Sequence, residues 1–235
     1  MKKFSFKAHL LSMGLLFSGF GAFAQTNSLN IAASTGAGAN YVSLGSSSGA
    51  LGTGAFTAEA YFKTSGVSTA ILSNRSNSCS STCSKYWNLI INAAGEVQFE
   101  VSADALCTGY NSITSTSPKN DGTWHHVAVT RSGTTLTMYI DGVQNTVATL
   151  GATPTDVSSG LPLVIGNNAA SCPSAAISVD EVRIWQRALP ACEINNNRLC
   201  ESPTGLNLRS YYKFNDGVSP SVDAGSNLTN GTLNG

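Results

Sequence analysis

The stretch "DGTWHHVAVTRSGTTLTMYIDG", residues 121–142, alternates apolar and polar side chains on both sides of a short Gly-containing turn. Asp121-Gly122 and Asp141-Gly142 are turn signals at its two ends. Between them, Thr123 to Thr130 reads as a strand, Arg131 to Thr134 as a hairpin turn and Thr135 to Ile140 as the partner strand. A side-chain period of two places His125 with Val127 and Val129 on one face, and His126 with Trp124 and Ala128 on the other. Adjacent strand residues point apart, so the two histidines cannot converge on one metal ion or one substrate atom. No acidic residue stands at a supporting spacing, and both histidines therefore read as packed strand residues with satisfied ring nitrogens rather than as catalytic groups.

The same alternation recurs outward from this hairpin. Further candidate strands are Tyr41–Leu44, Phe56–Phe62, Ala70–Ser73, Trp87–Ile91, Val97–Val101, Leu163–Ile165, Ser178–Trp185 and Ser210–Phe214, separated by turns rich in Gly, Ser, Thr and Asn. Many short strands at such spacing predict a single all-β sandwich. One segment reads as helix: Pro190 suits a first turn and Ala191-Cys192-Glu193-Ile194 follows it. The longest irregular pieces are 74–86, 102–121 and 166–177. Trp87, Trp124 and Trp185 all fall inside strand patterns and read as core.

The start of the chain predicts its compartment. Lys2, Lys3 and Lys7 precede an apolar run from Leu10 to Phe20, and Ala22-Phe23-Ala24 has the small-x-small form of a cleavage site, so residues 1–24 read as a secretory signal. The run is shorter than the ~20 residues of a spanning helix. The expected mature protein is secreted or held at the cell surface, without membrane insertion. Removing the signal takes away three of the thirteen basic residues and none of the thirteen acidic ones, which leaves a formal charge of about −3. Such a surface does not suit nucleic acid, whose binding needs clustered Lys and Arg.

All six cysteines, Cys79, Cys83, Cys107, Cys172, Cys192 and Cys200, lie beyond the signal, and an even number in an exported chain predicts disulfides. Cys192 and Cys200 are the expected pair, provided the helix stops between them. An unbroken helix would hold them about 12 Å apart, too far for a bridge, and Asn195-Asn196-Asn197 is the expected breaker. The pairing of the other four is open. The Cys79-x-x-x-Cys83 spacing has no further ligands beside it to complete a zinc site.

"DGTWHHVAVTRSGTTLTMYIDGV" followed by "ISVDEVRIWQRALPACEI" resembles the laminin-G-like, pentraxin-like branch of the concanavalin A-like lectin/glucanase jelly-roll superfamily, with "GANYVSLG" and "GAFTAEAYFKT" similar to its first strands. The resemblance spans about residues 28–214. It implies a two-sheet antiparallel jelly-roll sandwich over residues 25–214, disulfide-stabilised, that serves as a binding or adhesion module. The tail, 215–235, with "NGTLNG" resembles a recurrent family segment that either supplies an edge strand or opens a further segment.

Hydrolases share that superfamily, so catalysis has to be weighed. The nearest carboxylate pair on one strand face, Glu96 and Glu100, is separated by about 13 Å at strand rise, beyond the roughly 5–9.5 Å that glycoside hydrolysis uses. Asp180 and Glu181 are adjacent and are expected on opposite faces. No Gly-x-Ser-x-Gly elbow is present. Calcium is the candidate cofactor, because loop oxygens suit a hard cation and the family implies it; Asp180 is the one candidate ligand, with capping or pairing to Arg183 as its alternative role. For binding, the loops offer Asn74, Arg75 and Asn77, and Tyr110 with Asn111, as stacking and hydrogen-bonding groups. The expected function is a non-catalytic recognition or adhesion module for a glycan or an extracellular protein. A glycoside hydrolase with carboxylates from different strands, or a structural spacer, is the alternative.

Overall fold

A computed structural model of the chain describes residues 27–35, 40–75, 84–104, 106, 109–151, 156–166, 173–199, 206–215, 225 and 230–234. In chain order the strands are β1 (Leu29–Ile31), β2 (Tyr41–Ser43), β3 (Phe56–Lys63), β4 (Thr69–Ser73), β5 (Tyr86–Ile91), β6 (Glu96–Ser102), β7 (Asn111–Pro118), β8 (His125–Ser132), β9 (Thr135–Ile140), β10 (Val143–Thr149), β11 (Val164–Gly166), β12 (Ile177–Trp185), β13 (Leu208–Tyr212) and β14 (Thr232–Asn234). The helices are α1 (Gly45–Ser48) and α2 (Ala191–Asn197).

The opening stretch forms the expected hairpin. β8 and β9 pair antiparallel from Val127↔Ile140 to Ser132↔Thr135, so the turn is only Gly133-Thr134, with Gly133 at φ +58°. The strand outlasts its expected end because Arg131 is a buried strand residue. Its Nε donates to the Gly54 carbonyl at 3.0 Å, its Nη2 to the Gly52 carbonyl at 2.6 Å, and its guanidinium lies 4.8 Å from the Phe56 ring centre. At the other end Asp141 and Gly142 both take positive φ, the two-residue geometry that matches strand twist, and lead into β10.

Two antiparallel sheets result. Sheet I runs β1-β12-β3-β8-β9-β10, with β13 also on β12; sheet II runs β14-β2-β11-β4-β5-β6-β7. Alternate residues of both, such as Phe62, Val129 and Met138 against Trp87, Leu89 and Phe99, fill one core between the sheets. This is the expected all-β sandwich. Along one side, Asn145 of β10 accepts from the Thr116 N–H at 2.9 Å and donates to the Thr116 hydroxyl at 3.1 Å, so one amide ties the edge of sheet I to β7 of sheet II.

Several expectations are corrected. β7 lies inside the segment expected to be irregular: "NSITSTSP" places little besides Ile113 in the core, so its strand character comes from pairing with β6 rather than from apolar alternation. β10 and β1 also lack a sufficient apolar signal. The tail supplies an edge strand, β14, paired on β2. Trp124 is not core; it is half-exposed just before β8, with the Lys63 ammonium 5.5 Å from its ring centre. Cys192 is an exposed free cysteine, and its expected partner, Cys200, lies outside the described residues. Asn195-Asn196-Asn197 forms the last turn of α2, which ends at Asn197. Cys79, Cys83, Cys107, Cys172, Cys200 and the expected signal, residues 1–24, lie outside the described residues.

Candidate functional site

The outer faces of the two sheets differ. On sheet I, α2 packs over Trp185, Ala128 and Tyr139 through Ile194, with Leu189 beside it, and closes the face. On sheet II, the inward turn of Trp87, Leu89, Phe99 and Val101 leaves their neighbours Asn88, Ile90, Gln98 and Glu100 on the outer side, most of them half-exposed.

Register turns these neighbours into rows. Ser73 stands opposite Asn88, Asn88 opposite Glu100, and Glu100 opposite Ser112, a polar row four strands wide. The Ser73 hydroxyl donates to Asn88 Oδ1 at 2.5 Å. Ile90, Gln98 and Thr114 form the next row on one side; Tyr86, opposite Ser102, lies on the other. The Arg75 guanidinium sits 4.7 Å from the Tyr86 ring centre. Tyr110, 41% exposed ahead of β7, points its hydroxyl to Glu100 Oε1 at 3.4 Å. Burial pushes the Tyr86 phenol up to about 12, with Arg75 opposing and Glu100 and Tyr110 reinforcing. Burial and then Glu100 raise Tyr110. Both phenols keep their protons at neutral pH; Tyr86 is buried, and exposed Tyr110 combines a flat apolar face with a donor.

The structure thus brings Arg75 and Tyr110, far apart in sequence, to one face. Asn111 lies beside it, opposite inward-facing Val101, with its amide on the Gly109 carbonyl at 3.4 Å. Asn74 is corrected from a binding group to a structural one. It is fully buried, donates to the Gly49 carbonyl at 3.1 Å and accepts from the Trp87 N–H at 2.7 Å, so its amide is committed to joining two loops to β5. Asn77 lies outside the described residues. Glu100 and Ser112 are additional face residues, with buried Tyr86 beside them. Alternation in "YWNLII" and "EVQFEV" already sets Tyr86 and Glu100 opposite the core side, but only register shows that they meet.

The histidines do occupy opposite faces, yet acidic partners exist that spacing did not reveal. His125 Nδ1 lies 2.9 Å from Asp141 Oδ2 and its Nε2 3.2 Å from Asp121 Oδ2, and both contacts donate only when the ring is an imidazolium. The Asp141 hydrogen bond is the largest cause raising the His125 pKa above its ordinary 6.5. Hydrogen bonds from Thr123 and then His125 hold Asp121 at about 2. Burial works to raise Asp141, but its bonds to His125 and to the His126 N–H outweigh that and lower it. The raised histidine contributes stability that is complete below about pH 6.5 and lost as pH rises through its folded pKa. The lowered aspartates contribute stability present above their unfolded values and lost on acidification. Thermal melts should therefore fall by about 1–3 °C from pH 5.5 to pH 8.5 through this clamp. His125→Gln should remove that component; an identical pH dependence in the variant would refute it.

His126 lies under α2 in a buried polar network. Its Nε2 is 3.4 Å from Glu59 Oε2, and its ring packs on Tyr61 with centroids 4.9 Å apart. Glu59 also accepts from Trp185 Nε1 at 2.9 Å and lies 3.8 Å from Arg183 Nη1. Arg183 and the Tyr211 hydroxyl both donate to Glu181. A bulge in β12 sets Glu181 and Val182 against Ala60 alone, with Glu181 at φ +52°, so the alternation that sends Ile177 and Val179 to the core resumes only at Val182 and Ile184, and Glu181 stands on Arg183's side of the sheet instead of in the core. Asp180 is buried and accepts from the Glu181 N–H at 2.8 Å. Among the described residues no group of three or more His, Cys, Asp or Glu is placed to hold a metal ion, and no helix is long and apolar enough to cross a membrane.

Comparison with known proteins agrees with this architecture. The model of a laminin-G-type family, described as concanavalin A-like lectin/glucanases superfamily, matches residues 35–195. No curated protein matches the chain. Among solved structures, a putative carbohydrate binding protein from Bacteroides ovatus superposes with a TM-score of 0.60 at 21% identity, covering 88% of this chain and 59% of that one. The CBM40 of the Ruminococcus gnavus IT-sialidase, bound to α2,3 sialyllactose, gives 0.56 at 14% identity over 73% of this chain and 96% of that one. The native heptameric SAP-like pentraxin of Limulus polyphemus gives 0.54 at 14% identity, covering 91% and 97%. At such identities the likeness is one of fold.

Proposed function

The chain belongs to the laminin-G-like family of the concanavalin A-like lectin/glucanase superfamily, and from that premise we propose that it is an exported, non-catalytic recognition module that binds a glycan across the outer face of sheet II. The observation that carries this reading is the grouping of Arg75, Tyr86, Glu100 and Tyr110 around the Ser73-Asn88-Glu100-Ser112 row. The exposed Tyr110 ring provides an apolar surface for a sugar ring, and Glu100 and Ser112, the accessible part of the row, provide an acceptor and a donor for its hydroxyls. The two best-paired carboxylates elsewhere, Glu59 and Glu181, are buried beneath sheet I's cover and out of a substrate's reach. Glu96 and Glu100, four residues apart on one strand, are too distant for paired-carboxylate hydrolysis.

The test is a glycan array with the protein from Gln25 onward, wild type against Tyr110→Ala. Removing an exposed aromatic anchor should weaken binding by about tenfold or more without changing the melting temperature by more than about 2 °C. The array is run with and without calcium, because oxygen-rich loops suit that cation; calcium-dependent hits would add the ion to this reading. A blank array from folded protein would turn it toward a protein ligand or a spacer.

A further inference from the structure

We infer that Glu100 makes this face selective for uncharged sugars and against carboxylated ones, an inference that rests on the glycan reading above. Glu100 occupies the third strand of the four-strand row, with Asn88 on one side and Ser112 on the other. Ser73 and Asn88 are buried, so a ligand on the accessible part of the row meets the Glu100 carboxylate. Its neighbours Ser73, Asn88, Ser112, Gln98 and Thr114 are all neutral, and Glu96 adds a second negative charge further along β6.

At this end Arg75 lies over Tyr86 at the margin of the row, while Lys85 is paired with Asp156 at 2.8 Å. The Arg75 charge falls on Tyr86 and Tyr110 together with that of Glu100, so it offsets the carboxylate instead of leaving a net positive centre. A sugar hydroxyl donates to Glu100 and accepts from Ser112 or the Tyr110 phenol, whereas a ligand carboxylate brings a like charge beside Glu100. Discrimination then comes from a repulsive element placed within an otherwise neutral hydrogen-bonding surface.

The experiment pairs each neutral oligosaccharide that binds with its analogue carrying the uronic acid in place of the terminal hexose, so that the two differ by a carboxylate alone. Wild type should favour the neutral member by about tenfold or more at low salt, and the preference should shrink as NaCl rises from about 0.05 to 0.5 M, because the charges are solvent-accessible and screened. Glu100→Gln keeps an acceptor and loses the charge; the ratio should fall to within about twofold and lose its salt dependence. Equal or tighter binding of the uronate by wild type, abolished by Arg75→Gln, would overturn the inference while leaving the glycan reading intact. An unchanged ratio in Glu100→Gln would also overturn it. Binding of neither member by folded protein would remove the reading itself, and the inference with it.

Discussion

Replacing Arg183 with methionine is expected to destabilise the protein by about 3–5 kcal/mol, the cost of leaving buried carboxylates without their cation. The guanidinium stands between Glu59 and Glu181, and all three are buried. Burial works to raise the Glu59 carboxyl, but the His126 hydrogen bond, then the Arg183 and His126 charges and the Trp185 hydrogen bond, outweigh it and hold it below its ordinary 4.5. A lowered carboxylate pKa contributes stability that is present above the unfolded value and lost as pH falls through the folded one. The deficit of the variant should therefore be largest near neutral pH and narrow below about pH 4.5, where both proteins lose that contribution. Urea titrations at pH 7 and pH 4 decide this. A deficit of the same size at both values would mean that Arg183 acts by packing, through its alkyl chain and its stacking on Tyr211, rather than by charge.

The second large effect is expected at Trp87, where alanine should cost about 3–5 kcal/mol. The indole is fully buried, its centroid 5.9 Å from that of Phe99, and its Nε1 donates to the Gly49 carbonyl at 2.9 Å. That carbonyl also accepts from Asn74, whose Oδ1 holds the Trp87 N–H. Core packing and loop anchoring thus meet at one residue. Trp87→Phe separates them, because it retains an aromatic ring and deletes only the indole donor; it should cost about 1–2 kcal/mol and leave glycan affinity unchanged. Denaturant midpoints for both variants, with array binding of Trp87→Phe as the control, provide the check. A phenylalanine variant as unstable as the alanine one would show that the bond to Gly49, and not the core ring, dominates.

The exposed thiol of Cys192 bears on how the fold is stabilised. Cys192 contributes no covalent link, and the described core is held by side-chain burial between the sheets and by the network beneath α2. Arg131 and Asn74 act similarly within that core. Each is a polar side chain folded inward to satisfy loop carbonyls that no strand pairs.

What the sequence by itself determined is everything that depends on local period. Alternation in residues 123–130 and 135–140 placed a hairpin and sent His125 and His126 to opposite faces; the same period located most of the larger strands and the hydrophobic side of each. Its failures have the same origin. β7 and β10 carry too few apolar residues for the period to show, and they exist because neighbouring strands supply hydrogen-bond partners. The bulge at Glu181 breaks the period set by Ile177 and Val179, and so Glu181 stands beside Arg183 instead of pointing into the core. Asn74 and Arg75 look equivalent as loop residues, yet one is buried under Trp87's backbone and the other lies on Tyr86. Asp121 and Asp141 reach His125 because two turns meet at one end of sheet I. Only the tertiary structure decided these, because strand register and loop closure act between residues far apart in the chain, and local side-chain chemistry carries no record of which distant groups will be brought within hydrogen-bonding distance.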